Sequence, residues 1–356
     1  YIRITDIDEN SNKYSQQNIV SPLGILEDKY LVKENDILFA RTGASTGKTY
    51  IYDKNDGILY FAGFLIKANI KNTSNSMFIF MQTKTTKYRR WIELESMRTG
   101  QPGINSKQYE SYNFSVPSLV EQNKIANFFS LIDKRISLQQ EKVSLLREKK
   151  QGLMQQLFSR KLRFKDENGE AYPEWEVSSF KEIVTINQGL QIAIDDRYTT
   201  PDINRMFYIT NEFLRIDSQK KYYIENPSPS VICTKDDILM TRTGNTGKVV
   251  TDVEGAFHNN FFKIKYDTNT HNKYFLYYIL TSVPIQRKII QLAGTSTIPD
   301  LNHSDFYSIA IAYPCLAEQQ KIADLLSTLD SKIEKEDEKL KSLREQKKAF
   351  VQQMFV

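Results

Sequence analysis

Glu121-Gln122-Asn123-Lys124-Ile125-Ala126 returns as Glu318-Gln319-Gln320-Lys321-Ile322-Ala323, an offset of 197 residues (121 to 318). The same offset carries Leu145-Leu146-Arg147-Glu148 onto Ser342-Leu343-Arg344-Glu345, and Gln155-Gln156-Leu157-Phe158 onto Gln352-Gln353-Met354-Phe355. Farther upstream, Asp36-Ile37-Leu38-Phe39-Ala40-Arg41-Thr42-Gly43 is echoed by Asp237-Ile238-Leu239-Met240-Thr241-Arg242-Thr243-Gly244. A period this long is no solenoid unit. It is a duplicated pair of domain plus helix, and a duplicated binder suits a duplicated target.

The 356 residues leave room for two domains with cores of their own. Hydrophobic residues at 40% and charged residues at 26% are globular proportions. A net charge of +5 is too small for a polybasic tail, so a nucleic-acid surface must come from local clustering. Cys233 and Cys315 are the only cysteines, and His258, His271 and His303 are scattered, which argues against a disulfide framework or a metal cage. No apolar run nears the about 18 residues of a membrane span, no charged-then-apolar leader is present, and the cytoplasm is the expected location. The chain begins at Tyr1, and Ile4-Thr5-Asp6 matches Ile209-Thr210-Asn211, whereas the second domain starts near Trp175. The first copy is therefore expected to lack its opening strands within this sequence.

Residues 1–117 alternate β-prone runs such as Asp36–Ala40, Lys48–Tyr52 and Leu59–Ala62 with turns at Gly57, Gly63 and Gly100 to Gly103. A helix is predicted over 76–97, with its counterpart over 272–292. Val116-Pro117 and Tyr313-Pro314 close the two domains, and helices follow each proline. A short amphipathic helix is predicted over 121–132 and a longer one over 134–158. Ile136, Val143, Leu146, Leu153 and Leu157 form an a/d ladder, matched by Ile333, Leu340, Leu343, Phe350 and Met354. Lys150 and Lys347 interrupt both ladders at the same place. The two long helices are expected to pair antiparallel, with Ile136, Val143, Leu146 and Leu153 against Ile333, Leu340, Leu343 and Phe350; the alternative is that each packs on its own domain. The prediction is an α+β chain in five parts: a first domain 1–117, a helical spacer 118–158, a basic then turn-like linker 159–174, a second domain 175–314 and a second spacer 315–356.

Gly43-Ala44-Ser45-Thr46-Gly47-Lys48-Thr49 invites comparison with a phosphate-binding loop, and fails it. Such a loop needs four residues between its glycines; here there are three, and two in Gly244-Asn245-Thr246-Gly247. The residues that follow, Tyr50-Ile51-Tyr52 and Val249-Val250, are strand formers and offer no helix N-terminus. The same stretch suits a hairpin with paired cations. Arginine can grip a guanine edge, threonine can reach base or phosphate, and lysine neutralises phosphate. Candidate DNA contacts are thus Arg41, Thr42, Ser45, Thr46 and Lys48 in the first copy and Arg242, Thr243, Asn245, Thr246 and Lys248 in the second. The alternative is a structural turn whose arginine pairs with an acid such as Asp36 or Asp237. Catalysis finds no footing: Asn226-Pro227-Ser228-Pro229 only approximates an adenine-binding motif, and no histidine or carboxylate cluster repeats.

With these residues in hand, the chain resembles the specificity subunits of type I restriction–modification systems over almost its whole length. The resemblance rests on Pro-x-x-x-Glu-Gln-x-Lys-Ile-Ala twice (Pro117 to Ala126, Pro314 to Ala323) and on Ile132-Asp133 and Leu329-Asp330. The Leu-Arg-Glu…Gln-Gln-x-Phe tails, the segment Leu162-Arg163-Phe164 to Tyr172-Pro173-Glu174-Trp175, and the Asp-Ile-Leu-x-x-Arg-Thr-Gly hairpins complete it. It implies two target-recognition domains, two spacer helices and no catalysis in this chain. It also implies double-stranded DNA as ligand, two adenine-methyltransferase subunits and motor-nuclease subunits as partners, and no cofactor here, methyl donor and ATP being held by those partners. The most faithfully repeated residues, Glu121, Gln122, Lys124, Glu318, Gln319 and Lys321, become candidates for methyltransferase docking. A helix over 134–158 is about 37 Å long at 1.5 Å per residue, close to one DNA turn of about 34–36 Å, which fits two readers on one side of a duplex. A protein-binding scaffold and a stand-alone DNA-modifying enzyme are the rival readings.

Overall fold

The computed structural model describes residues 1–355 apart from 10, 98–100, 216, 217, 219, 295 and 296. Gly100, expected to mark a turn, lies outside the described residues. The chain divides into two compact units, residues 1–142 with 336–356, and residues 143–335. Neither unit follows a single predicted segment, because each long helix is shared between them.

In the first unit, β1 (Asp36–Ala40) pairs antiparallel with β2 (Thr49–Ile51) and β3 (Leu65–Asn69), Leu38 facing Tyr50 on one side and Lys67 on the other. The run Asp-Ile-Leu-Phe-Ala is buried along almost its whole length, as a central strand covered on both faces must be. Ile2, Val32, Leu38, Tyr50 and Leu65 fill one side of this sheet. On the other side stands α1 (Ser76–Gln82), which brings Phe78, Phe80 and Met81 against Ile37. The single helix predicted over 76–97 is two: α1 closes at its C-cap Thr83, and Thr85 caps α2 (Thr86–Glu95), its hydroxyl accepting from Tyr88 N at 3.0 Å. Next come α3 (Ser106–Glu110) and α4 (Leu119–Phe158).

Helix α4 corrects a second expectation. The short and long helices foreseen on either side of Asp133 are one, for no glycine or proline interrupts residues 119–151 and Asp133 is paired with Lys347 at 2.5 Å.

The second unit opens with β4 (Glu176–Ser179), α5 (Phe180–Ile183) and β5 (Val184–Gln188). Then follow β6 (Arg205–Ile209), β7 (Tyr222–Glu225), β8 (Ile232–Cys233), β9 (Ile238–Thr241), β10 (Val249–Val250), β11 (Gly255–Phe257) and β12 (Phe261–Tyr266). The chain continues through α6 (Lys273–Leu280), α7 (Val283–Ala293), α8 (His303–Ser308), β13 (Ala310–Tyr313) and α9 (Leu316–Met354). The predicted helix over 272–292 is again split, here at Thr281–Ser282 with Pro284 in the first turn of α7. One sheet runs β10-β9-β12-β5, another β7-β6-β11-β8, and β4 pairs with β13. Ile238, Met240, Phe262 and Ile264 of the first sheet join Phe275, Leu276, Ile289 and Phe306 in the main core.

The two long helices run antiparallel where they meet inside each unit. In the first, Phe128 lies edge-on to Phe350, Asp133 binds Lys347 and Gln139 donates to Glu336. In the second, Lys150 binds Asp330 at 2.6 Å, and Leu157 shares a core with Ile322 and Leu326. The lysines that break the ladders are thus the ones that find an aspartate on the facing helix. Val143, Ile333, Leu340 and Leu343 are buried, whereas Ile136, Leu146 and Leu153 are half-buried. Phe350 departs from the expectation: it is 37% exposed, and Val351 and Phe355 turn inward instead, onto Phe78 and Phe129. A straight helix drifts about 20° per heptad from a strict seven-residue stripe, so the buried face leaves the partner helix and swings onto the domain.

Lys84, between α1 and α2, has no counterpart in the second copy, where Thr281 stands. Its Nζ rests 2.5 Å from Thr49 Oγ1 and 4.0 Å above the Phe80 ring, with no carboxylate partner among the described residues. Burial, with Lys347 nearby, holds its pKa well below the ordinary lysine value of 10.5. The unfolded chain keeps that proton up to the ordinary value while the fold releases it earlier, so stability rises with pH across the window between them and is lost as pH falls. Lys84→Met is expected to flatten this slope and to raise stability at neutral pH. Urea midpoints of both proteins between about pH 7 and about pH 9 check it; parallel pH profiles would contradict the assignment.

Candidate nucleic-acid interface

Both hairpins are built alike. Gly43 (φ 77°) and Gly47 (φ 86°) in the first, and Gly244 (φ 86°) and Gly247 (φ 88°) in the second, hold left-handed backbone that other residues resist. The second glycine of each pair also lets a helix approach. A Cβ on Gly47 would lie 2.7 Å from Ile92, and one on Gly247 2.9 Å from Gln286. In its place Tyr88 Oη donates to Gly47 O at 3.1 Å, and Gln286 Nε2 to Gly247 O at 2.9 Å. These glycines serve a close-packed turn against α2 or α7, which is why the phosphate-loop spacing is absent.

A short extended segment braces the other side of each turn. Ile104 N donates to Arg41 O and Leu301 N to Arg242 O, both at 2.9 Å, and the bridges Thr42–Gly103 and Thr243–Asp300 run alongside. The threonines nearest the tips are tied inward: Thr46 Oγ1 donates to Gly43 O at 2.7 Å, and Thr246 Oγ1 to Pro299 O at 2.8 Å. Thr243 Oγ1 donates to Asp300 Oδ1. Three threonine hydroxyls proposed for DNA are therefore occupied within the turn. Ser45 is half-buried and Asn245 exposed, their side chains without hydrogen-bond partners among the described residues, as is Thr42.

The cations divide unevenly. Arg41 is exposed, and its guanidinium has no hydrogen bond or ion pair among the described residues. Lys48 is held down, its Nζ on Ile7 O at 2.7 Å and 3.6 Å from Glu9, with its side chain 12% exposed. In the second copy the order reverses. Arg242 Nη2 binds Asp300 Oδ2 at 2.7 Å, the guanidinium lies over Phe262 at 5.6 Å, and its Nε is buried without a partner. Lys248 is exposed, and its ammonium is unpaired among the described residues. Lys48 and Arg242, expected to face DNA, thus have intramolecular partners here. The acid that holds Arg242 is neither Asp36 nor Asp237: those close the turns before β1 and β9, accepting from Lys33 N and Thr234 N at 2.8 Å.

Four of the six docking candidates are likewise engaged within the chain. Gln122 and Gln319 are buried, tying the start of each long helix to its domain through Asn75 N and Asn272 N, both at 2.9 Å. Glu318 is fully buried and receives Arg163 Nη2 at 2.9 Å and Trp175 Nε1 at 3.3 Å. Arg163 belongs to the 159–174 segment, which is an ordered clasp rather than a loose connection; it also grips Pro173 O at 2.5 Å and Glu174 at 3.0 Å. Lys321 Nζ donates to Lys165 O of the same segment at 2.7 Å. Glu121 and Lys124 remain exposed. The glutamine of the duplicated motif joins helix to domain in both copies, and Gln122, Glu318 and Gln319 are removed from the surface. Sequence reasoning passed over Asp300, and over Arg90 and Arg287, exposed cations on α2 and α7 at the 197-residue offset, which that offset alone would have revealed.

The chain belongs to the family of type I restriction modification DNA specificity domains, whose family model matches residues 1–147 and again 172–345. It is similar to the type I restriction enzyme MjaVIII specificity subunit of Methanocaldococcus jannaschii, at 25% identity over 96% of this chain and 83% of that protein. The putative type I restriction enzyme MjaX specificity subunit of the same organism is 26% identical over 93% of this chain and 82% of its own length. The fold is shared with the type I restriction–modification S subunit from M. genitalium, with a TM-score of 0.60 at 19% identity, covering 92% of this chain and 85% of that one. A chain from a structural study of type I R-M complex assembly and conformational transition gives the same TM-score at 16% identity, covering 99% and 89%. No described helix is long and apolar enough to cross a membrane.

Proposed function

We propose that this chain is the non-catalytic specificity subunit of a type I restriction–modification assembly, reading a bipartite DNA site and positioning adenine-methyltransferase and motor-nuclease subunits that hold the methyl donor and ATP. One observation carries the reading: the recognition fold occurs twice in one chain, each copy presenting an Arg-Thr-Gly hairpin braced between a helix and an extended segment. Arg41, Thr42, Ser45, Asn245, Lys248 and the helix cations Arg90 and Arg287, whose side chains have no partner among the described residues, are the candidates to meet DNA. For partner subunits the candidates are the exposed Glu121 and Lys124, together with Leu131 and Leu138, a heptad apart on α4 and 68% and 56% exposed. Helix α9 carries Thr328 and Lys335 at the matching places, so the two docking surfaces would differ in polarity. A scaffold that binds only protein leaves the duplicated hairpins without a purpose.

The test is reconstitution with the methyltransferase subunits, followed by mapping of methylated adenines and titration of duplex DNA at several salt concentrations. The expected result is one motif in two parts separated by unread bases, with log affinity falling linearly against log salt. A continuous motif, or binding indifferent to salt, would count against the proposal.

A further inference from the structure

We infer that the two hairpins use their cations on DNA differently: Arg41 reads a base in the first half-site, whereas in the second hairpin the cation that acts is Lys248, on phosphate, because Asp300 engages Arg242. The inference rests on the DNA-reading function proposed above and assigns its residues.

Each turn offers an arginine at its start and a lysine at its end, and each copy ties down one of the two. In the first, Lys48 is spent on Ile7 O and Glu9 while Arg41 is free among the described residues. In the second, Arg242 is held by Asp300, with its side chain 16% exposed, while Lys248 is exposed and its ammonium has no partner among the described residues. The residue that decides is the one beside the arginine on the bracing segment. Gly103 and Asp300 hold the same place, bridged to Thr42 and Thr243 and followed by the residue whose N–H binds the arginine carbonyl. Glycine leaves the guanidinium alone; aspartate captures it and the Thr243 hydroxyl together.

The chemical consequence follows from the two cations. A free guanidinium is a flat fork that matches guanine O6 and N7 by two hydrogen bonds, whereas an ammonium is a point charge suited to phosphate. Arg242 would have to leave a carboxylate to reach a base, and the exposed carboxylate left behind would repel the phosphates. The bases of the second half-site must therefore be read by side chains other than Arg242.

The test uses the reconstituted complex with methyltransferase subunits, scored by methylation mapping and by duplex titration over salt. Arg41→Ala should weaken the specific site roughly 5- to 150-fold and relax one position of one half-site. Lys248→Ala should weaken all duplexes alike and lower the salt slope by about one, and Arg242→Ala should leave both halves of the motif unchanged. Asp300→Asn keeps a group able to accept from Thr243 and releases the guanidinium, so binding to every duplex should tighten and the slope steepen by about one. That gain should vanish when Arg242→Ala is added; a gain that survives would be the mere loss of a negative charge and would overturn the latch. An unchanged motif and affinity in Arg41→Ala, or an Arg242→Ala variant that relaxes a position, would also overturn the inference. If Asp300→Asn fails to assemble, Arg41→Ala and Lys248→Ala, both at exposed side chains, still decide the base-against-phosphate split. A wild-type complex without salt-sensitive DNA binding would refute the function itself.

Discussion

Phe129→Ala is expected to lower the unfolding free energy by about 3–5 kcal/mol, the range for emptying an aromatic site in a closed core. Phe129 is fully buried on α4 with Phe78, Val351 and Phe355, its ring 5.8 Å from that of Phe355. Three separate parts of the chain meet there, so collapse around the void would have to move α1, α4 and α9 together. Leu131→Ala, on the exposed side of the same helix, is the control and should cost little. Denaturant melts of the two variants and the parent measure the difference. A loss under about 1 kcal/mol for Phe129→Ala would show that these helices do not form a shared core.

Glu318→Ala should also be damaging, by about 1–3 kcal/mol, because it removes the acceptor of the buried Trp175 indole N–H and one partner of Arg163, which keeps Glu174 and two carbonyls. The Glu318 side chain is fully buried, and Arg163 and the Trp175 indole converge on it. Its counterpart Glu121 is exposed with no such clasp, and Glu121→Ala should be nearly neutral. The contrast between two residues of one repeated motif is the measurement: equal losses would remove the clasp as the cause.

The duplication, the alternation of domain and helix and the pairing of the long helices were legible because each leaves a periodic trace in apolar residues. The hairpins were legible too, since glycine pairs between strand formers leave few choices. What escaped was set by contacts remote in the chain. Nothing near Arg242 announces Asp300, 58 residues away, and its counterpart in the first copy is a glycine. Repetition alone is also ambiguous: Gln122 and Gln319 both fasten a helix to its domain, whereas Glu318 is clasped and its counterpart Glu121 is exposed, and sequence identity does not separate a fastening from a docking surface. The helix breaks at 83–85 and 281–282 and the continuity through Asp133 depended on capping and cross-helix charge, which spacing alone underweights.

Because residues 336–356 complete the first compact unit, whereas the second is the uninterrupted run 143–335, the order of synthesis inverts the order of completion. On the ribosome, Phe78 and Phe129 emerge long before Val351 and Phe355 exist to cover them. The later-made unit has all its residues first, and the earlier one waits for the final turns of α9 with apolar surface uncovered, a state open to aggregation. Loss of the α9 turns that carry Val351 and Phe355 would therefore damage the unit built from residues 1–142 rather than the unit that precedes those turns in the chain.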